Sequence, residues 1–282
     1  MSRLAQLVFE LRRSRGAIPD AFADFARDPF ALATHERLKR WAPLAGFFGA
    51  GLDLLAALTG TDKYGMHHYT PVYEALARPL RRRQVALLEL GVGGYARSLG
   101  GESLLMWAAY FRKGRIYGID IEDKTALSRG RIKVYQCSQT DRARLTALAG
   151  EIGPFDFVID DGSHVNAHQI ESFHILWPFV KDGGWYVVED VQTSYWPSFG
   201  GGAPGSPRHA SSCISFFKSL ADSVNECEFL ERPGVETAPS IGHIAFHHNL
   251  IVLRKDESPR RSNMPLGNES VRAALMKPMS ST

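Results

Sequence analysis

Phe155-Asp156-Phe157-Val158-Ile159-Asp160-Asp161-Gly162-Ser163-His164 decides how this chain is read, together with its echo Trp185-Tyr186-Val187-Val188-Glu189-Asp190. Each stretch is a short hydrophobic, β-branched run that ends in paired acids, the pattern of a buried strand running out into a loop. Between them Ala167 to Phe179 reads as a helix, closed near Lys181-Asp182-Gly183-Gly184. Strand, helix, strand at this spacing means a right-handed crossover between parallel strands. Parallel neighbours end side by side, so the acids of both stretches are expected at one sheet edge.

The alternation extends outward in both directions. Strands are expected at Val85 to Leu90, Arg115 to Ile121 and Ile132 to Cys137, with helices at Pro71 to Leu80, Glu102 to Phe111 and Asp141 to Ala149. Beyond Asp190, Thr193 to Ser211 contains Gly200-Gly201-Gly202-Ala203-Pro204-Gly205 and reads as a lid loop, and Cys213 to Val224 reads as helical. Ile241 to Phe246 and Leu250 to Leu253, split by His247-His248-Asn249, fit an antiparallel hairpin. Leu4, Leu7, Val8 and Leu11 recur at helical spacing, and Asp53 to Leu58 is a further helical piece stopped by Gly60. The expected organisation is a helical extension over 1–60, an α/β domain over 61–257 with its lid at 193–211, and a flexible tail over 258–282.

Crowded carboxylates repel unless a hard divalent cation offsets their charge. A histidine three residues beyond Asp161 is placed to take a proton from a hydroxyl held there. Asp-Gly is also ordinary turn chemistry, so either acidic segment alone reads equally well as a cap or turn. Two of them at the ends of neighbouring strands favour the site.

The other chemical signal is Leu87-Leu88-Glu89-Leu90-Gly91-Val92-Gly93-Gly94, a buried strand entering a glycine turn that lets backbone bend and a ligand approach. It is not GxGxxG: the loop runs on through Tyr95 to Gly100-Gly101 before a helix opens at Glu102-Ser103. An acid at Glu89 disfavours a diphosphate and suits a cationic group, such as a methionine-derived ammonium or sulfonium. Asp120, ending the second strand, is placed to accept from ribose hydroxyls, a feature shared by NAD and S-adenosylmethionine proteins. Gln139, past the third strand, reads as an adenine contact or as a loop residue in solvent.

The chain of 282 residues carries a net charge of +3, too small to argue for nucleic acid. Cys137, Cys213 and Cys227 have no CxxC spacing and suggest neither a disulfide framework nor a zinc site. No apolar run has the length of a membrane span, and Met1-Ser2-Arg3-Leu4-Ala5 opens no signal peptide, so the expected location is cytoplasmic.

Thr61-Asp62-Lys63-Tyr64-Gly65, Leu88 to Tyr95, Gly100 to Leu104, Tyr117 to Asp120, Ile159 to His164 and Val188 to Pro197 together resemble the metal-dependent, S-adenosylmethionine-dependent sugar O-methyltransferases that decorate macrolides, and more distantly the rhamnosyl O-methyltransferases. The resemblance implies a Rossmann-like class I methyltransferase with a mostly parallel seven-stranded sheet and a C-terminal antiparallel hairpin. It implies Asp161, Glu189 and Asp190 as Mg2+ ligands and His164 as general base, with vicinal hydroxyls of a glycoside on the metal. It also implies Glu89, Gly91, Gly93, Tyr95, Ser103, Asp120, Gln139 and Asp160 as the S-adenosylmethionine pocket. Thr61, Lys63 and Tyr69 would lie on a segment closing over that pocket, and the assembly would be a homo-oligomer. Spacing alone does not separate a sugar from a catechol acceptor; the resemblance favours the sugar. A nicotinamide-dependent sugar-modifying enzyme would want a compact GxGxxG and a Tyr-x-x-x-Lys pair.

Overall fold

The computed structural model describes residues 38–94, 99–231, 240–256, 262 and 264–277. The chain divides into two compact units, Met1–Cys137 and Ser138–Thr282. The expected helix around Leu4 to Leu11, and Tyr95, lie outside the described residues.

The first unit contains α1 (Ala42–Phe47), α2 (Leu52–Thr59), α3 (Thr70–Ala77), β1 (Ala86–Leu90), α4 (Glu102–Tyr110), β2 (Arg115–Asp120) and β3 (Ile132–Gln136). Its strands lie parallel in the order β3-β2-β1, with Glu89 opposite Gly118 and Asp120 opposite Gln136. β1 is buried along its whole length, as expected of a parallel strand covered on both faces. α2 stops where Gly60 turns left-handed at φ 81° and donates its N–H to Ala56. Glu74 on α3 ties the helices together: its Oε2 accepts from the Leu52 N–H at 2.9 Å and its Oε1 from the Tyr110 hydroxyl at 2.9 Å. Gly118 is a packing requirement, because a Cβ there would lie 2.6 Å from Val92 Cγ1 and 2.9 Å from Leu104 Cδ1.

The second unit contains α5 (Arg142–Ile152), β4 (Phe155–Asp160), α6 (Asn166–Leu176), β5 (Val180–Glu189), α7 (Pro207–Ala210), α8 (Cys213–Ser219), β6 (Ile241–His247), β7 (Leu250–Lys255) and α9 (Glu269–Leu275). The strand order is β4-β5-β7-β6. β4 and β5 are parallel with Asp160 opposite Val188, whereas β7 runs antiparallel to both β5 and β6. Its core is aromatic: Phe173 on α6 packs against Trp177, Tyr186, Phe216 and Phe217 with ring centroids 5.0–5.8 Å apart. The two units supply seven strands, mostly parallel with an antiparallel C-terminal edge, as expected.

Several boundaries differ from the sequence reading. β5 begins at Val180, so Lys181-Asp182-Gly183-Gly184 belongs to a strand rather than to a helix end. Gly183 takes φ 70° there, and Lys181 pairs with Asp156 at 2.7 Å across a register shift in β4. α6 gives way to a 3₁₀ turn at Trp177–Phe179, where Pro178 removes a helical N–H donor. The helix from Cys213 is α8 followed by a kinked 3₁₀ segment, Leu220–Glu228. Within the stretch read as a tail, α9 is capped by Asn268, whose side chain accepts from Ser270 and Val271.

The glycine-rich segment after β5 is folded into 3₁₀ turns at Val191–Tyr195 and Pro197–Phe199 and then α7. Asn166, the first residue of α6 and fully buried, holds this segment. Its Nδ2 donates to the Thr193 and Phe199 carbonyls at 3.1 and 2.8 Å. Its Oδ1 accepts from the Ser194 hydroxyl and the Cys213 N–H at 3.0 and 2.7 Å.

Candidate active site

β4 delivers Asp160 to its end, and the chain leaves through Asp161-Gly162-Ser163-His164 into α6. β5 delivers Glu189, followed by Asp190. One side-chain ligand atom each from Asp161, His164 and Asp190 lies within 4.8 Å of the others, with His164 Nε2 3.7 Å from Asp190 Oδ2. Glu189, the third expected ligand, is not among the groups brought together; it is buried at the strand end, and its carbonyl accepts from Gln169 Nε2 at 2.9 Å.

His164 and Asp190 both take the left-handed conformation, at φ 57° and 54°. For a non-glycine residue this costs about 1–3 kcal/mol and persists only where the surroundings impose it, which happens disproportionately at functional sites. His164 Nδ1 is buried and has no hydrogen-bond partner among the described residues.

Asp160 is fully buried and turned inward. Its Oδ2 accepts from Ser172 Oγ and its Oδ1 from Gln139 Nε2 at 3.2 Å and the Gly162 N–H at 3.4 Å. Burial pushes its carboxyl up to about 6 against the pull of the Ser172 and Gly162 hydrogen bonds. Tyr186 donates to Ser172 at 3.4 Å, and burial raises both its hydroxyl and the Cys213 thiol well above their usual values. Gln139, read as an adenine contact or as a loop residue in solvent, is engaged at both ends of its amide: its Oε1 also accepts from the Ser163 N–H at 2.7 Å.

In the first unit, β1 runs into Gly91 and Gly93, at φ 79° and 66°. The return of the loop is close: a Cβ on Gly100 would lie 2.4 Å from the Val92 carbonyl oxygen. Glu89 is fully buried and forms a 3.0 Å ion pair with Lys63, which is fully buried as well. Ser103, at the start of α4, donates to its other oxygen at 2.9 Å. The acid read as facing a cationic ligand thus already has an ammonium partner inside the fold. Thr61 and Tyr69 are buried on the same segment as Lys63, with Tyr69 stacked on His67 at 5.0 Å.

Asp120 ends β2. It accepts from the Val92 N–H at 3.2 Å and the Glu122 N–H at 2.9 Å, and pairs with Lys124 at 3.1 Å. Lys124 Nζ also donates to the Gly93 carbonyl, tying the glycine turn to the acid. An ionised carboxylate has about four lone-pair sites, so with three partners one remains for a ribose hydroxyl. Lys124, Ser172 and Asn166 escaped the sequence reading. The i,i+4 spacing from Asp120 marked Lys124; Ser172 and Asn166 carry no signal that separates them from ordinary helix residues.

No family model matches the sequence. The chain is 44% identical over 209 residues to the 8-demethyl-8-alpha-L-rhamnosyl tetracenomycin-C 2'-O-methyltransferase of Streptomyces olivaceus, covering 73% of this chain and 54% of that protein. It is 45% identical over 197 residues to the mycinamicin VI 2''-O-methyltransferase of Micromonospora griseorubida, covering 68% and 49%. Among solved structures it is similar to the MycE methyltransferase of mycinamycin biosynthesis in complex with Mg and SAH. The TM-score is 0.70 at 38% identity, over 79% of this chain and 60% of that one. The chain therefore spans about half the length of the curated relatives it matches. No helix among the described residues is long and apolar enough to cross a membrane. Over the matched stretch the chain is a homologue of the sugar O-methyltransferases of macrolide and tetracenomycin pathways and has their class I methyltransferase fold.

Proposed function

We propose that this chain is an S-adenosylmethionine- and Mg2+-dependent O-methyltransferase acting on a sugar hydroxyl of a natural-product glycoside. The observation that carries the reading is the convergence of Asp161, His164 and Asp190 from two strand ends within a stretch homologous to sugar O-methyltransferases. The mycinamycin VI complex of MycE, also with Mg and SAH, supports a glycoside as the acceptor class.

The donor set fits a hard cation: Asp161 and Asp190 offer carboxylate oxygens, and Glu189 immediately precedes Asp190 at the end of β5. Mg2+ held there would supply positive charge against an alkoxide developing on the acceptor. The residues of the chain do the rest. Asp161 and Asp190, with Glu189 as third ligand, orient vicinal hydroxyls of the sugar. His164 takes the proton at Nε2, the nitrogen 3.7 Å from Asp190 Oδ2. Glu89, Gly91, Gly93, Ser103 and Asp120 are assigned to the donor, with Lys63 paired to Glu89. Thr61, Tyr69 and Tyr95 belong to the same assignment. Methyl transfer is an in-line displacement at an already activated carbon, so alignment and proton removal are what the protein must provide.

The test is calorimetric titration of chelator-treated protein with S-adenosylmethionine and with NAD, each with and without Mg2+, then methyl transfer to a panel of glycosides and catechols. Donor binding with Mg2+-dependent transfer to a glycoside is the expected result. NAD binding without donor binding, or transfer to catechols alone, overturns the assignment. We also propose a homo-oligomer, for which Trp41, Phe47 and Phe48 on and beside α1 are exposed aromatic contacts; light scattering at the monomer mass would refute it.

A further inference from the structure

The residues that present Asp161 and His164 are more than the strand that precedes them. Gln139 is nearly buried beside the turn, and its amide bonds both ends of it: Nε2 to Asp160 Oδ1 at 3.2 Å, and Oε1 to the Ser163 N–H at 2.7 Å. These two partners bracket Asp161 and Gly162. The amide also packs against the turn between them, since a Cβ on Gly162 would fall 2.3 Å from Gln139 Oε1 and 2.9 Å from its Cδ. Gly162 is not among the left-handed glycines. Its lack of a side chain is therefore explained by the space the Gln139 amide occupies rather than by a backbone angle.

We propose that Gln139 is a positioning residue for the metal-and-base turn, its amide setting the register in which Asp161 and His164 are presented together. The proposal rests on the metal-dependent reading above and replaces the adenine contact expected from the sequence. A primary amide has one acceptor oxygen and two N–H donors. Oε1 accepts from the Ser163 N–H and Nε2 donates to Asp160, which leaves one N–H for any further partner. His164 needs such support, because a non-glycine residue at φ 57° stays there only when its neighbours over-determine the backbone. Gln139 supplies that constraint before His164, and Asn166, anchored at the start of α6, supplies it after.

The experiment uses the full chain as wild type, Gln139→Leu, Gly162→Ala and the double variant. Mn2+ affinity is read by electron paramagnetic resonance, S-adenosylhomocysteine affinity by calorimetry, and kcat and KM where transfer is measurable. Partners of this kind typically change metal affinity by about 10–100-fold. Gln139→Leu is expected to weaken Mn2+ at least about tenfold while leaving S-adenosylhomocysteine within about twofold. Gly162→Ala, which displaces the same amide, is expected to do likewise, and the double variant to be no worse than either single one. Should Gln139→Leu fail to fold, Gly162→Ala carries the test, since it keeps the glutamine. Loss of S-adenosylhomocysteine affinity with Mn2+ unchanged makes Gln139 an adenine contact and overturns the proposal, as do additive effects in the double variant. A wild-type protein that takes up no Mn2+ overturns the metal reading itself; wild-type uptake with unaltered variants overturns only the role of Gln139.

Discussion

Removing Lys63 should expose how the donor end of the first unit is held together. Lys63 and Glu89 are both fully buried and 3.0 Å apart, and Glu89 has Ser103 on its other oxygen. In Lys63→Met the side-chain stem is replaced at similar volume, but the carboxylate keeps Ser103 and loses its counter-ion. Breaking a buried pair from one side costs about 3–5 kcal/mol, because an uncompensated charge stays in a low-dielectric interior. With an unfolding entropy of roughly 2.1 cal/mol/K per residue, a 282-residue chain unfolding as one would lose roughly 5–8 °C in Tm. The double variant Lys63→Met/Glu89→Gln removes both charges and keeps an acceptor for Ser103, so it should recover most of that loss. Urea midpoints and thermal melts of the wild type, both single variants and the double one give the coupling directly. Singles that simply add, or a Lys63→Met protein as stable as the wild type, would show that Glu89 does not depend on Lys63 and would sink the argument. Donor affinity measured on the same four proteins then separates the two jobs: a stable double variant that binds S-adenosylmethionine normally removes Glu89 from the donor site.

His164→Ala should lose at least about a hundredfold in turnover with donor affinity little changed; equal turnover removes His164 from the chemistry. Asp161→Ala and Asp190→Ala should each raise the Mg2+ concentration needed for half-maximal activity steeply, and an unchanged metal requirement in either would take that carboxylate out of the ligand set. Glu189→Ala measured beside them decides whether this carboxylate, too, is a ligand. Asn166→Ala removes the bonds to the Phe199 carbonyl and the Cys213 N–H, and one bond each from the Thr193 carbonyl and the Ser194 hydroxyl, which keep the Trp196 and Ile214 N–H groups. It should cost about 2–4 kcal/mol, and limited proteolysis should cut faster between Thr193 and Ser211; an unchanged cleavage pattern would show that other contacts hold the segment. Gly118→Ala should destabilise by about 1–3 kcal/mol through overpacking against Val92 and Leu104, read as a lowered denaturation midpoint.

The sequence by itself determined the architecture and the identity of the chemical groups. The strands at Phe155–Asp160 and Ala86–Leu90 were legible because a strand buried on both faces is a near-continuous apolar run, broken here only by Asp156 and Glu89 before the terminal residue, and the crossovers follow from the handedness of the chain. That acids of both strand ends meet beside a histidine follows from parallel pairing alone, and the structure brings Asp161, His164 and Asp190 together accordingly. What each polar side chain is bonded to was decided by the tertiary structure. Glu89 read as an acid awaiting a cation, yet its partner is Lys63, from a segment separated from β1 by all of α3. Gln139 read as an adenine contact or as a loop residue in solvent, and its amide is bonded to Asp160 and to the turn that follows β4. In segment 193–211, read as a lid, the Thr193 and Phe199 carbonyls and the Ser194 hydroxyl find one asparagine at the head of α6. Periodicity and composition report which faces are apolar, because burial acts on every residue of an element in the same way. A buried polar group must instead find one particular partner, and that partner is named by the packing of distant segments rather than by its neighbours in the chain.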